Sequence, residues 1–367
     1  MKTKKMRYVW FLVILCIFCL TLFLARTRSK VEMRNRIYHQ WNEHFVVSKG
    51  KESYVRTTND SNQTVVLSEA QSYGMLITVA AAEKGQAQQA DFDRLYHYYL
   101  NHRLEGTQLM SWKQTISNGK AKDEDHNATD GDLYIAYALL KAAQQWPKQA
   151  KDYQVQAKAI LEDILAHNYN EETGVLTVGN WANQDSEFYH LMRTSDTLPA
   201  QFQIFYEVTK DSKWLAIKEK MLQQLQTISS QTKTGLLPDF IWVDEQGTRV
   251  ADPKTIESKY DGAYSYNACR LPYNLVQSKD KTSQQLVKKM LNFFKSQRNL
   301  YAGYDLKGKA LNNHQAASFL APIVYASEHE KGYLKLVQQN KYIFTQDLPL
   351  NNYYDATMTT MIALELF

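Results

Sequence analysis

The sequence predicts an all-α domain of six helical hairpins behind an N-terminal membrane anchor. Three observations carry that expectation. Twelve stretches repeat apolar residues at a period near 3.6, while β-rich runs are few. No Pro-, Ser- or Gly-rich linker separates two compact regions, so one domain over 31–367 is expected. Residues 8–25, YVWFLVILCIFCLTLFLA, are nearly all apolar and have Lys and Arg on both sides.

That apolar run is at the lower end of the length that crosses a bilayer. A basic start before a hydrophobic core also describes a secretory signal. The run ends Phe23-Leu24-Ala25-Arg26-Thr27-Arg28, without a small-x-small cleavage site. Residues 1–30 therefore read as a cytoplasmic basic start and an uncleaved, single-pass signal anchor, with the remainder extracellular. Cleavage and secretion are the alternative. The formal charge of +5 comes from this segment, which holds seven Lys or Arg and no acid. The rest has 36 basic against 38 acidic residues, which argues against a nucleic-acid partner. Only Cys269 lies beyond the anchor, so the exported part has no internal disulfide and must rely on its core.

The helices are expected at 33–46, 71–84, 88–101, 131–146, 151–167, 197–209, 212–229, 263–278, 281–297, 313–327, 329–341 and 355–366. Gly50–Gln63, with Asn59, Asp60 and Asn62, reads as loop, as does Gly106–Asp125. Residues 174–178 and 240–243 are expected to form small hairpins. Each amphipathic helix has to bury its apolar stripe against neighbours. A closed double ring does this, and so does a superhelical solenoid. The lack of a fixed-period repeat disfavours the solenoid.

The organising stretch is His126–Trp146, HNATDGDLYIAYALLKAAQQW. Asp130 and Asp132 flank Gly131, and Ile135, Ala138, Leu139, Ala142 and Trp146 follow at helical spacing. Thr129 or Asp130 is placed to cap that helix, where acids are favoured. Taken alone, this is an acidic helix start and nothing more. From Ala128 to Trp146, however, it resembles the signature of glycoside hydrolase family 8 with every constrained position filled. The resemblance implies an (α/α)6 barrel that hydrolyses β-linked polysaccharides with inversion and needs no cofactor. Zinc-ligand patterns, phosphate-binding glycine loops and a Ser-His-Asp arrangement are missing from the sequence.

The other site residues follow from this resemblance. Leu67-Ser68-Glu69-Ala70-Gln71-Ser72-Tyr73-Gly74-Met75 contains a capping box, Ser68 with Gln71, that would hold Glu69 at a helix opening. The segment is similar to the family's Ser-Glu-x-x-x-Tyr-Gly-Met motif, which makes Glu69 the general acid and Tyr73 a partner of the acid or the sugar. Asp130 is implied at the central subsite, holding a distorted sugar ring, and Asp132 as a structural residue. An inverting base stands about 6.5–9.5 Å from the acid. Many members place an Asp before Ala-x-Arg, but here Tyr266-Asn267-Ala268-Cys269-Arg270 puts an amide there. That resembles the subfamily of chitosanases, lichenases and some cellulases, in which a loop Glu acts instead. Among Asp252, Glu257 and Asp261, Glu257 is the expected base and Asp261 the alternative, read as a helix cap. Arg270, one turn after Asn267, is expected to bridge the acidic groups.

Trp112, Trp181, Tyr189 and Trp242 lie in polar loops and are expected to offer flat faces to sugars. The stretches Arg193–Ala200, with Asp196, and Gly235–Phe240 resemble cleft-lining segments. The expected partner is a β-linked glycan, with the exopolysaccharide synthesis machinery a further one. A non-catalytic glycan-binding or assembly protein on the same scaffold is the competing reading, kept open by Asn267.

Overall fold

The computed structural model describes residues 2–58 and 63–367; Asn59, Asp60 and Asn62 of the polar run lie outside them. Among the described residues there are twelve α-helices: α1 (Lys2–Phe45), α2 (Ser68–Glu83), α3 (Gln89–Asn101), α4 (Thr129–Gln145), α5 (Ala150–His167), α6 (Pro199–Thr209), α7 (Lys213–Ser230), α8 (Leu271–Val276), α9 (Lys281–Ser296), α10 (Ala317–His329), α11 (Leu334–Asn340) and α12 (Tyr353–Leu366). Each of the twelve expected stretches holds one of these helices, with shifted ends, and that at 263–278 only a short one.

Burial sorts them into two rings. Helices α2, α4, α10 and α12 are buried around most of their circumference. Helices α3, α5, α7 and α9 bury one stripe each, such as Phe92, Leu95, Tyr98 and Tyr99 on α3. The inner ring closes where α12 packs on α2, and the C-terminal part of α1 lies outside α12. This is the closed double ring and not the solenoid; one continuous core fills it.

Three expectations change on contact with the structure. The first barrel helix does not start afresh near residue 33. Neither Pro nor Gly occurs between residues 2 and 45, and α1 runs unbroken through the apolar run into the barrel. The expected helix at 263–278 is largely a turn. Asp239 Oδ1 accepts the amides of Ser265, Asn267 and Ala268, then a 3-10 turn at Ala268–Arg270 leads into the short α8, with Pro272 in its first turn. The loops also hold more strand than expected. β1 (Val46–Lys49) pairs with β2 (Glu52–Val55), and β3 (Thr64–Leu67), β4 (Lys113–Ser117) and β5 (Lys120–Asp123) form a three-stranded sheet. Asn118 and Gly119, both at positive φ, make the tight turn between β4 and β5. An Asn-Gly pair is the sequence signal for such a turn.

The two expected hairpins exist. β6 (Tyr169–Asn170) pairs with β7 (Val175–Leu176). β8 (Leu191–Arg193), β9 (Phe240–Asp244) and β10 (Gly247–Val250) form a sheet in the order β10-β9-β8. All these sheets sit in the connections entering the inner helices, at one end of the barrel.

Candidate active site

A cavity of about 380 Å³ opens at the end where the inner helices begin. Glu69 reaches it from the first turn of α2, Asp130 from the first turn of α4, and Tyr353 and Tyr354 from that of α12. Arg193, Glu257, Tyr266, Asn267 and Trp112 enter from the loops. Three helix starts of the inner ring and the loops beside them thus converge on one space, and chain segments far apart in sequence meet there.

Arg270 is the centre of the arrangement. Its side chain is 1% exposed, with Nη1 2.9 Å from Glu69 Oε2 and 3.1 Å from Asp130 Oδ2. It also donates to the Tyr73 hydroxyl, to Ser195 Oγ and to Asn267 Oδ1. Arg193 continues the pattern, with Nη1 3.1 Å from Asp130 Oδ1 and Nη2 3.4 Å from Glu257 Oε1. Carboxylates and guanidiniums therefore alternate: Glu69, Arg270, Asp130, Arg193, Glu257. Asn267 closes the circuit, its Nδ2 2.8 Å from Glu257 Oε2.

Charge explains how the protons settle. Burial pushes the Glu69 carboxyl up to about 7, against the opposing pull of Arg270. Burial likewise raises Asp196, which sits 3.6 Å from Arg193 Nη1, to about 7. For Asp130 burial is outweighed by Arg193 and Arg270, and its carboxyl lies below the usual range. One group beside the cavity is thus poised as an acid while its neighbour stays ionised.

Several expected residues stand behind the cavity wall. Tyr73, Asp196 and Arg270 are buried there and hold the groups that line it. Trp181 and Trp242 do not line this cavity either. They continue an aromatic row from Trp112 through His126, Trp181 and Phe188 to Trp242, with ring centroids 5.4–6.3 Å apart. Tyr189 is buried. Asp132 is fully buried, accepting from the Met110 amide and Asn127 Nδ2. Asp261 does not cap a helix. It is buried and accepts the amides of Ile256, Glu257 and Ser258, which shapes the loop that presents Glu257.

The expected caps also differ. Gln71 bonds the Val55 amide and the Ser53 and Leu95 carbonyls instead of closing a box with Ser68. Thr129 donates to the Thr177 carbonyl, and Asp130 accepts from the Gly131 amide. Tyr353 and Tyr354 went unread in the sequence, although Asn352, which accepts the Asp355 amide, marks the helix start that carries them.

The sequence profile of glycosyl hydrolases family 8 matches residues 13–365. The chain belongs to this family. Its membership makes the protein an inverting glycoside hydrolase. A β-glucanase of Niallia circulans is 31% identical over 298 residues, 78% of this chain and 72% of that one. An endoglucanase of a Bacillus species is 30% identical over 275 residues, 71% of this chain and 58% of that one, so the present chain spans little more than half of this second relative. The apo structure of a β-1,3-1,4-glucanase from a Paenibacillus species superposes with a TM-score of 0.82 at 24% identity, covering 93% of this chain and 92% of that one. At that identity the likeness speaks for the shared family 8 fold.

Proposed function

We propose that the protein is a membrane-anchored, endo-acting β-glycan hydrolase in which Glu69 is the general acid and Glu257 the general base. The observation that carries this reading is one cavity lined by both carboxyls, with Asp130 bridged by arginines between them. Glu69, its carboxyl raised to about 7, keeps its proton on the acid side of neutrality and donates it to the departing glycosidic oxygen. Glu257 is 45% exposed at its side chain and, held by Asn267 and Arg193, takes the proton of an attacking water. Asp130 stays ionised and accepts from sugar hydroxyls at the central subsite, where Trp112 and Tyr266 present their rings. Asp261 has its carboxylate committed to three amides, which favours Glu257 over it as the base.

Asn267 fits this division of labour. An amide at that position donates to Glu257 and accepts from Arg270 at once. A carboxylate there would repel Glu257. This is the ground for placing the chain with the chitosanase, lichenase and cellulase subfamily. The β-glucanase names of its relatives make mixed-linkage β-glucan the first substrate to try, followed by cellulose derivatives and chitosan. The exposed apolar run of α1 supports an anchor with the barrel, residues 31–367, outside the cell. An anchored enzyme of this kind would act on a polysaccharide its own cell exports.

The test is turnover of this glycan panel by the wild type, Glu69→Gln and Glu257→Gln. Each variant is expected to keep the wild-type melting curve and to lose about 10²–10⁴-fold in kcat. The α-anomer should form first from a β-linked substrate, read by proton NMR. Undiminished turnover by Glu69→Gln ends the assignment, and a fully active Glu257→Gln moves the base elsewhere.

A further inference from the structure

The anchor and the barrel share one helix, and its contacts fix which end of the barrel faces the membrane. Phe45, the last residue of α1, packs edge-on against Tyr353, whose helix start lines the cavity. One turn earlier, Trp41 Nε1 donates to Thr357 Oγ1. Further back, Arg34 Nη1 donates to the Phe367 carbonyl, and Lys30 Nζ lies 5.4 Å above the Phe367 ring. Helix α1 therefore runs antiparallel to α12 and passes the chain's last residue on its way out. Its apolar residues, exposed from Tyr8 to Leu24, project from the end opposite the cavity.

We infer that the end of the barrel remote from the cavity is a bilayer-facing surface, and that the cavity opens outward, away from the lipid. This rests on the anchor reading above and not on the catalytic roles. The residues from Ala25 to Phe45 are continuous helix, and at ~1.5 Å of rise each they hold the cavity end about 30 Å from the edge of the apolar run. A helix tilt of about 20° shortens this by only a few ångström. No Pro or Gly interrupts the segment, so nothing in it folds the barrel back onto the membrane.

The chemistry of that end suits anionic head groups. Arg26, Arg28 and Lys30 follow the apolar run directly and are exposed. The α4–α5 and α10–α11 connections, which lie at this same end, carry exposed Lys148 and Lys331, and the first turns of α5 and α11 that follow carry exposed Lys151 and Lys335. The enzyme therefore takes polymer that has already cleared the bilayer; a glycan still attached to a lipid at the head groups is out of its reach.

The experiment uses the full chain in phosphatidylglycerol/phosphatidylcholine liposomes with acceptor-labelled head groups. A donor dye is placed on Lys148→Cys, at the inferred membrane side, or on Asp125→Cys, beside the cavity, with Cys16 and Cys19 changed to Ala. Both label sites are exposed, and unchanged melting curves of the labelled chains certify the fold. The 148 dye is expected to transfer several-fold more energy to the lipid than the 125 dye. Equal transfer, or the reverse order, overturns the inference. A chain that fails to float with the liposomes overturns the anchor reading itself, which is a separate outcome.

Discussion

In the proposed mechanism, the proton on Glu69 sets the pH behaviour of the site. With its carboxyl raised to about 7 by burial, kcat/KM is expected to fall as pH rises through about 7. A profile still flat at pH 9 would rule Glu69 out as the donor. Stability carries the same sign. Glu69 and Asp196 both bind protons more tightly folded than unfolded, so their contribution declines as pH climbs from about 4 to about 7. Asp130 has the opposite sense, and its contribution is lost as pH falls below the usual carboxylate range. Melting temperatures measured across pH should therefore peak on the acid side of neutrality. At this scale the acids were readable from their motifs, since helix starts announce themselves in local sequence. Arg270 was readable too, one turn after Asn267, but the second opposing arginine was harder. Arg193 earned notice only as part of a segment, because its partners Asp130 and Glu257 lie 63 and 64 residues away.

The starts of α2 and α4 touch so closely that glycine is required between the two acids of the Asp-Gly-Asp motif. A Cβ on Gly131 would stand 2.2 Å from Ser68 Oγ and 2.7 Å from Ser68 Cβ. Gly131→Ala is expected to force these helix ends apart and to cost about 1–3 kcal/mol, as overpacking does. Because Glu69 and Asp130 ride on those ends, kcat should drop with it, which paired melting and kinetic measurements will show. A loop element makes a separate prediction. Asp261→Ala strips three amides of their acceptor and loosens the loop carrying Glu257. Asp261 is thus a positioning residue. The expected result is a loss of at least tenfold in kcat with little change in KM, and partial rescue by Asp261→Asn; equal loss in Asp261→Asn and unchanged kinetics in Asp261→Ala would each contradict it. Helices were the most legible elements, since a 3.6-residue stripe is a local property. The 263–278 turn was not, because Asp239, which dictates it, lies some 25 residues upstream and its three amide bonds leave no periodic trace.

For the molecule as a whole, α1 joins an exposed apolar run to the barrel core. Its N-terminal portion buries nothing in the barrel, whereas Ile37, Tyr38, Trp41 and Phe45 are at most 3% exposed in the core. The sequence displayed both halves, one as an apolar run and one as an amphipathic stripe. Their continuity was hidden, because the charged residues between them share neither the apolar run nor the amphipathic stripe, although they are a solvated stretch of the same helix. Two truncations separate the halves. Removal of residues 1–30 deletes no buried residue among those described and takes away only the Lys30 contact with the Phe367 ring, so the remaining chain should be soluble, melt as the full chain does in detergent and retain kcat on soluble glycan. Removal of residues 1–45 strips the outer cover from α12 and leaves Thr357 without the Trp41 indole. Losing a buried Trp alone costs about 3–5 kcal/mol, a large share of the ~5–15 kcal/mol that holds a domain folded. That shorter chain is expected to unfold or aggregate. Since Tyr353 and Tyr354 at the head of α12 line the cavity, activity should vanish with the fold. If the chain lacking residues 1–45 melts cooperatively and turns over substrate, α1 is an appendage and not the barrel's twelfth wall.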